Sequence, residues 1–184
     1  YIWSYCTTSY DALKAVVFDF AESRGGHHVR SFLGLDTDAG AHAKNSGWHG
    51  KLVCDDFSGY NGCFELGVTE AGCLAHARRK FHELWVNHGS QAGQRALKFF
   101  GEIYDIEREV HDLPAEERRR IRQERSAKVA DALHQWLQQQ RQLVPEGSVT
   151  AKAIDYSLRR WKALTHFIDD GDLPPDNNWV ENQI

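Results

Sequence analysis

The sequence contains no methionine, and only four prolines and four cysteines among its 184 residues. Cys6, Cys54, Cys63 and Cys73 sit in or beside apolar runs without the tight spacing of a disulfide framework. They are therefore expected to be reduced thiols of a cytoplasmic protein. The prolines, at 114, 145, 174 and 175, fall between periodic segments and punctuate them. No run of eighteen apolar residues exists, and no basic-then-apolar leader opens the chain, so neither a membrane span nor export is read. A formal net charge of -4 excludes a uniformly basic nucleic-acid binder but leaves room for local basic patches. No repeat or low-complexity tract is present. Because the chain opens at Tyr1 and a helical pattern still runs at Ile184, it is expected to be a fragment.

What is there is enough for a core. At 41% hydrophobic, the chain can bury one domain, or one domain plus an insert. The first half reads as strands. Tyr1 to Cys6 and Ala15 to Phe20 are β-rich runs joined by a turn around Ser9-Tyr10-Asp11. Val29, Phe32 and Leu33 have helical spacing within His28 to Leu35, and a polar loop from Thr37 to Gly50 leads to a strand over Lys51 to Asp55. A further strand is expected within Val68 to Leu74.

From His76 onward the period changes to three and four residues. Ala77, Phe81, Leu84 and Trp85 open this pattern, and Leu97, Phe100, Ile103, Tyr104 and Ile106 continue it. Pro114, Glu116 and Glu117 suit the first turn of a long helix, which carries Ile121, Val129, Leu133, Trp136 and Leu137 on one side. Pro145-Glu146-Gly147 ends it, and Ser148 caps a helix striped by Ile154, Leu158, Trp161, Leu164 and Ile168. Asp176 or Asn177 caps the last helix. Strands first and helices afterwards predict an α+β arrangement, or a mixed sheet with an inserted helical subdomain.

Two places carry candidate chemistry. Leu52-Val53-Cys54-Asp55-Asp56-Phe57-Ser58-Gly59-Tyr60 is an apolar run that ends in two carboxylates and a turn, as a buried strand does when it delivers an acid to a sheet rim. Asp176-Asn177-Asn178-Trp179-Val180-Glu181 opens a late helix with a second acid. Hard oxygen ligands of this kind, one or two per ion, hold Mg²⁺ alongside water and phosphate. Spacing alone favours a plainer reading, in which Asp55-Asp56 is a solvated strand end and Glu181 a surface residue.

Three segments in order change that weighting: Asp55 to Asn61, Cys73 to Phe81 (CLAHARRKF) and Asp176 to Glu181. With Asp19 to Gly26 and the stretch from Pro114 to Leu137, they resemble the sixty-six family of bacterial insertion-sequence transposases over essentially the whole chain. The resemblance implies a ribonuclease H-like mixed sheet, incomplete at its N-terminal strand and carrying a large all-helical insertion. It also implies an Asp-Asp-Glu triad that binds two Mg²⁺ ions, with Mn²⁺ as a substitute, for DNA strand cleavage and transfer. Residues 1–88 and 148–184 would form the core and residues 89–147 the insertion.

The family's Asp-Gly-Tyr-x-Gly-Tyr pattern puts its second catalytic Asp on Asp55, with Asp56 where Gly is usual. Its Asp-Asn-Asn-x-x-Glu pattern puts the Glu on Glu181. The first catalytic Asp is expected upstream of Tyr1, because Asp19 matches a later strand of the pattern. The fragment alone is then expected to be inactive. Implied partners are the transposon ends and target DNA, a second copy of the chain by analogy, and accessory proteins of the element. A ribonuclease H-like nuclease, and an inert remnant that only binds DNA or a partner, stay open as rival readings.

His76, Arg78, Arg79 and Lys80 begin a helix after the presumed fifth strand, where they would contact phosphates or simply form a solvated face with His76 as a cap. Cys73 and His76 have the spacing of half a zinc site, but no second pair follows and zinc is not expected. Arg118, Arg119, Arg120, Arg122 and Arg125 form the densest positive run, interleaved with Glu116, Glu117 and Glu124, so helix-surface pairing is the favoured role. Trp136 and Trp161 read as core. Trp179 reads as packing, with stacking on a displaced base as the alternative. His27 and His28 are assigned no role.

Overall fold

The computed structural model describes residues 1–35 and 47–184. The expected loop from Thr37 to Gly50 falls largely outside them. The architecture is mixed, with small sheets and a helical majority. β1 (Ile2–Cys6) and β2 (Val16–Phe20) form an antiparallel pair with Trp3 opposite Asp19 and Ile2 opposite Phe20. β3 (Lys51–Cys54) and β4 (Thr69–Gly72) pair in parallel, Cys54 opposite Gly72. A parallel pair needs a crossover. Here a 3₁₀ turn (Ser58–Tyr60) and α2 (Asn61–Glu65) supply it.

One mixed sheet was the expectation from sequence. Among the described residues no ladder joins the antiparallel pair to the parallel pair, so the strands form two separate two-stranded sheets. The two pairs nevertheless share a small core. Trp3 from β1, Val29 from α1 (His27–Phe32), Cys63 from α2 and Val68 before β4 are buried together. Alternation sends Trp3 inward, while Ile2 and Phe20 on the opposite face are exposed.

The second half builds the larger core from amphipathic helices. α3 (Leu74–His88) packs on α4 (Gln91–Val110) and on α7 (Val149–Arg159). Phe81, Phe100, Leu133 and Ile154 are all buried to within 1% and come from four different helices. Each such side chain contributes roughly 1.5–3 kcal/mol when fully buried, so this cluster dominates the apolar stabilisation. Gly89, at φ 60°, closes α3 in the left-handed conformation that glycine adopts at little cost. Ser148 caps α7 as its sequence predicts, its hydroxyl accepting from the Ala151 N–H at 3.1 Å.

Two features depart from the expected helices. The predicted long helix after Pro114 is α5 (Ala115–Ile121) and α6 (Ala127–Leu143), joined by a π-helical turn over Arg122–Ser126. The predicted stripe from Ile154 to Ile168 is broken at Arg160, where α7 gives way to α8 (Trp161–Thr165) and a 3₁₀ turn (His166–Asp169). No helix of the described residues is long and apolar enough to cross a membrane.

The arginine run is a second departure in kind. Arg119, Arg120 and Arg125 do pair on the surface, with Glu116, Glu124 and Glu109. Arg118 and Arg122 do not reach the surface. Arg122 is fully buried, forks onto both oxygens of Glu107 at 2.8 and 2.5 Å, and donates to the carbonyls of Phe167, Asp170 and Leu173. Arg118 donates to the carbonyls of Val110, His111, Leu113 and Gly171. A Cβ at Gly171 would collide with the Ala115 carbonyl oxygen, so glycine is what lets the 167–173 segment approach α5 this closely. The two arginines thus donate to carbonyls of the irregular 166–173 stretch and, through Arg118, to those at and just after the end of α4.

Candidate active site

The carboxyl ends of β3 and β4 organise the acids. Asp55 follows β3 directly, and its Oδ1 accepts the Phe57 N–H at 3.0 Å, a local turn that fixes the carboxylate. Asp56 points elsewhere: its carboxylate pairs with the Arg160 guanidinium. Arg160 also donates to Glu70 of β4 at 2.7 Å and to the Asp55 carbonyl at 3.4 Å. The helix break at Arg160 thus sets a mostly buried cation against the ends of both strands. Burial works against the charged guanidinium, but Glu70 and Asp56 outweigh it and hold the group above its ordinary pKa.

The late acid is delivered to the same end. The Cys73 N–H bonds the Cys54 carbonyl at 3.1 Å, which puts the start of α3 beside Asp55. The next residue, Leu74, donates its N–H to the Pro175 carbonyl at 2.9 Å, which ties in the segment leading to α9 (Asn178–Glu181). The Asp176 carboxylate opens α9 by accepting the Asn178 N–H at 3.0 Å, and its other oxygen accepts from Tyr104 at 2.7 Å. Burial, and then the Asp176 charge, push the Tyr104 hydroxyl far above its usual range. α9 also packs on β1.

His76 bridges the site. Its Nδ1 lies 3.0 Å from the Cys73 sulfur and its Nε2 3.6 Å from a Glu181 oxygen. Arg79 Nη2 is 3.9 Å from the other Glu181 oxygen. Lys80 instead lies over the Tyr156 ring, 4.3 Å from its centroid, and Arg78 is exposed. Of the four basic candidates, then, two face Glu181, one is engaged with an aromatic ring and one faces solvent. Burial drives the Cys73 thiol up to about 11, so it stays protonated at neutral pH despite the backbone N–H groups around it. Cys63 belongs to the other, smaller core.

Asp55 and Glu181 are hard oxygen donors at one end of a parallel strand pair, the place where open α/β sheets bind ligands. Two carboxylates are the donor set that Mg²⁺ takes when water and phosphate complete its shell. Among the described residues, no group of three His, Cys, Asp or Glu side chains is set to hold a metal unaided. Asp19 lies in the middle of β2, opposite Trp3, and belongs to the hairpin. Arg160 and Glu70 escaped the sequence reading because an arginine within a helical stripe and a glutamate in a short strand carry no local signal.

A family model described as "Transposase IS66 family" matches residues 1–184. Three uncharacterized proteins of Sinorhizobium fredii are similar as well. The protein y4jD is 40% identical over 94% of this chain, y4hP 30% identical over 94%, and y4qI 32% identical over 92%. The chain spans about a third of the length of each of these relatives (33%, 32% and 31%). No solved structure matches it. The match along the whole chain shows that it belongs to the IS66 family of transposases.

Proposed function

We propose that residues 1–184 are part of a transposase catalytic core of ribonuclease H-like fold, acting in DNA transposition by metal-dependent strand cleavage and strand transfer. The observation that supports this reading is the bond from the Leu74 N–H to the Pro175 carbonyl, which ties the segment leading to α9 to the residues that follow β4. In this reading residues 1–88 and 148–184 build the core around the helical insertion at 89–147. A further strand of the longer protein would join the antiparallel and parallel pairs into one sheet and bring the third carboxylate.

Asp55 and Glu181 would hold Mg²⁺, or Mn²⁺ in its place. Bound there, such ions activate the attacking water or hydroxyl and stabilise the leaving oxygen of a phosphodiester. The chain's own residues prepare that site. The Phe57 N–H orients the Asp55 carboxylate, and Arg160 draws Asp56 aside so that one acid, not two, faces the reaction. His76 and Arg79 hold the Glu181 carboxylate. With Arg78 and Lys80 they form a basic edge for phosphates of the element ends and the target. Hydrolysis would leave a 3′ hydroxyl at the element end, which then attacks target DNA. Two ends must be held together, so a homodimer and accessory proteins of the element belong to the same proposal.

The test is cleavage of a duplex bearing the element's terminal sequence by the full-length protein with Mg²⁺ or Mn²⁺. Nicking confined to the element ends supports the transposase. Cleavage without end preference points to a nuclease on the same fold. DNA binding with no cleavage under either metal makes the chain an inert remnant.

A further inference from the structure

A cleft of about 550 Å³ lies between the β1–β2 loop, the last turns of α4 and the segment carrying α9. Tyr10, Tyr104, Arg108, His111, Pro175 and Trp179 are among its walls. Its aromatic surface is held in place. The Arg118 guanidinium backs the Tyr10 ring at 3.5 Å from the centroid, and His111 lies 5.7 Å from the same ring. Because Arg118 is itself locked by backbone carbonyls, Tyr10 is fixed from behind.

Charges of both signs stand at the cleft. Glu107 is neutralised by Arg122, Asp176 accepts from the Tyr104 hydroxyl and Asp112 lies beside His111, while Arg108 and Lys14 supply the cations nearest the aromatic walls. Arg108 is 71% exposed, and its partner Asp105 is an exposed neighbour on the same helix, a pairing of little strength. Lys14 Nζ, held by the carbonyls of Ser9 and Asp11, stands 5.9 Å from the Trp179 ring centroid. The Trp179 indole Nε1 is buried and has no hydrogen-bond partner in the protein. A buried indole N–H ordinarily finds an acceptor.

Fixed aromatic faces with Lys14 and Arg108 beside them match two needs of an unpaired nucleotide: a face to stack on and charge for its phosphate. A base inside a duplex is stacked and paired and does not present these surfaces. We propose that this cleft holds one unpaired DNA nucleotide, with its base against Trp179 and Tyr10 and its phosphate toward Lys14 and Arg108. Trp179 stands two residues before Glu181 on α9, on a different face of the same helix, so the cleft adjoins the proposed reacting centre across that helix. The source of that nucleotide rests on the transposase reading, but its binding can be measured without catalysis.

The experiment is fluorescence anisotropy with the full-length protein in EDTA, using a blunt duplex, the same duplex with a short dT overhang, and one whose overhang is abasic. The overhang is expected to bind about tenfold tighter than the blunt duplex, within the range of base–aromatic stacking. The abasic overhang should lose that increment. Trp179→Ala should lose it too, and Trp179→Phe should keep most of it. Equal binding of all three DNAs by the wild-type protein overturns the proposal. So does an overhang preference that survives the abasic change, a comparison that needs no variant to fold. Failure to cleave under metal leaves these results standing and bears only on the transposase reading.

Discussion

His76 Nε2 lies 3.6 Å from Glu181 Oε1, so the first turn of α3 and the last residue of α9 meet at the carboxyl ends of β3 and β4. Two segments far apart in the chain are joined there by side chains as well as by the backbone bond from Leu74 to Pro175. The acids of the proposed site depend on this junction and on Arg160.

Arg160→Gln should loosen the β3 end. The change leaves Asp56 and Glu70 without their shared cation and Asp55 without a neighbour's N–H on its carbonyl. We expect a loss of about 1–3 kcal/mol, the cost of removing a charged hydrogen-bond donor from partly buried acceptors. Arg160→Lys should recover only part, since an ammonium cannot reproduce the fork. Urea unfolding of the three proteins checks this, and an unchanged midpoint for Arg160→Gln would deny the clamp.

The Arg122–Glu107 pair should behave as an internal staple. Arg122→Met leaves a buried carboxylate unpaired and should cost about 3–5 kcal/mol. The double change Arg122→Met with Glu107→Leu should be less damaging than the single one, because no lone charge is then buried. A denaturant-melt double-mutant cycle measures that difference.

Cys73 should resist alkylation. Burial raises its thiol from the ordinary value of 9.0 to about 11, so between those values the folded protein keeps a proton that the unfolded chain gives up. This contribution to stability is complete below pH 9 and is lost as pH rises toward 11. Mass-resolved labelling with iodoacetamide at pH 8 should modify Cys73 many times more slowly in native protein than in urea. Rapid native labelling would contradict the packing of the β4–α3 junction.

At the acid end, Lys51 and Asp170 supply the opposite sign. Burial opposes ionisation of Asp170, but the hydrogen bonds from Lys51 and the Asp172 N–H prevail and hold its carboxyl below 3.8. Its contribution is present above the unfolded value and disappears as pH falls through the folded one. Asp170→Asn should therefore flatten the dependence of the melting temperature on pH below 4, and a parallel pair of curves would refute this.

Much of the fold was legible in the chain. The strand that delivers Asp55, the two β-rich runs at the start and the apolar stripes from Ala77 to Leu137 follow from periodicity, and Ser148 caps α7 as its chemistry requires; the cap of α9 is Asn177, which makes no side-chain bond, while Asp176 before it accepts the Asn178 N–H. Periodicity failed where side chains act against their usual environment. Arg118 and Arg122 look like a solvated run because nothing local tells a buried arginine from an exposed one; Glu107, the carbonyls at and just after the end of α4 and those of residues 167–173, brought in by tertiary packing, give them partners. The break at Arg160 was hidden for the same reason, since the stripe on either side of it stays helical. The separation of the strands into two pairs depends on long-range pairing, which alternation within a strand does not encode.

Metal-dependent cleavage of element-end DNA by the full-length protein, compared with Asp55→Asn and Glu181→Gln, tests most directly whether these two acids work as one site. Each substitution should abolish cleavage with both Mg²⁺ and Mn²⁺ while DNA binding and the melting temperature stay close to wild type. Wild-type cleavage by Glu181→Gln would contradict the shared site, and would return Glu181 to the role of a surface partner for His76 and Arg79.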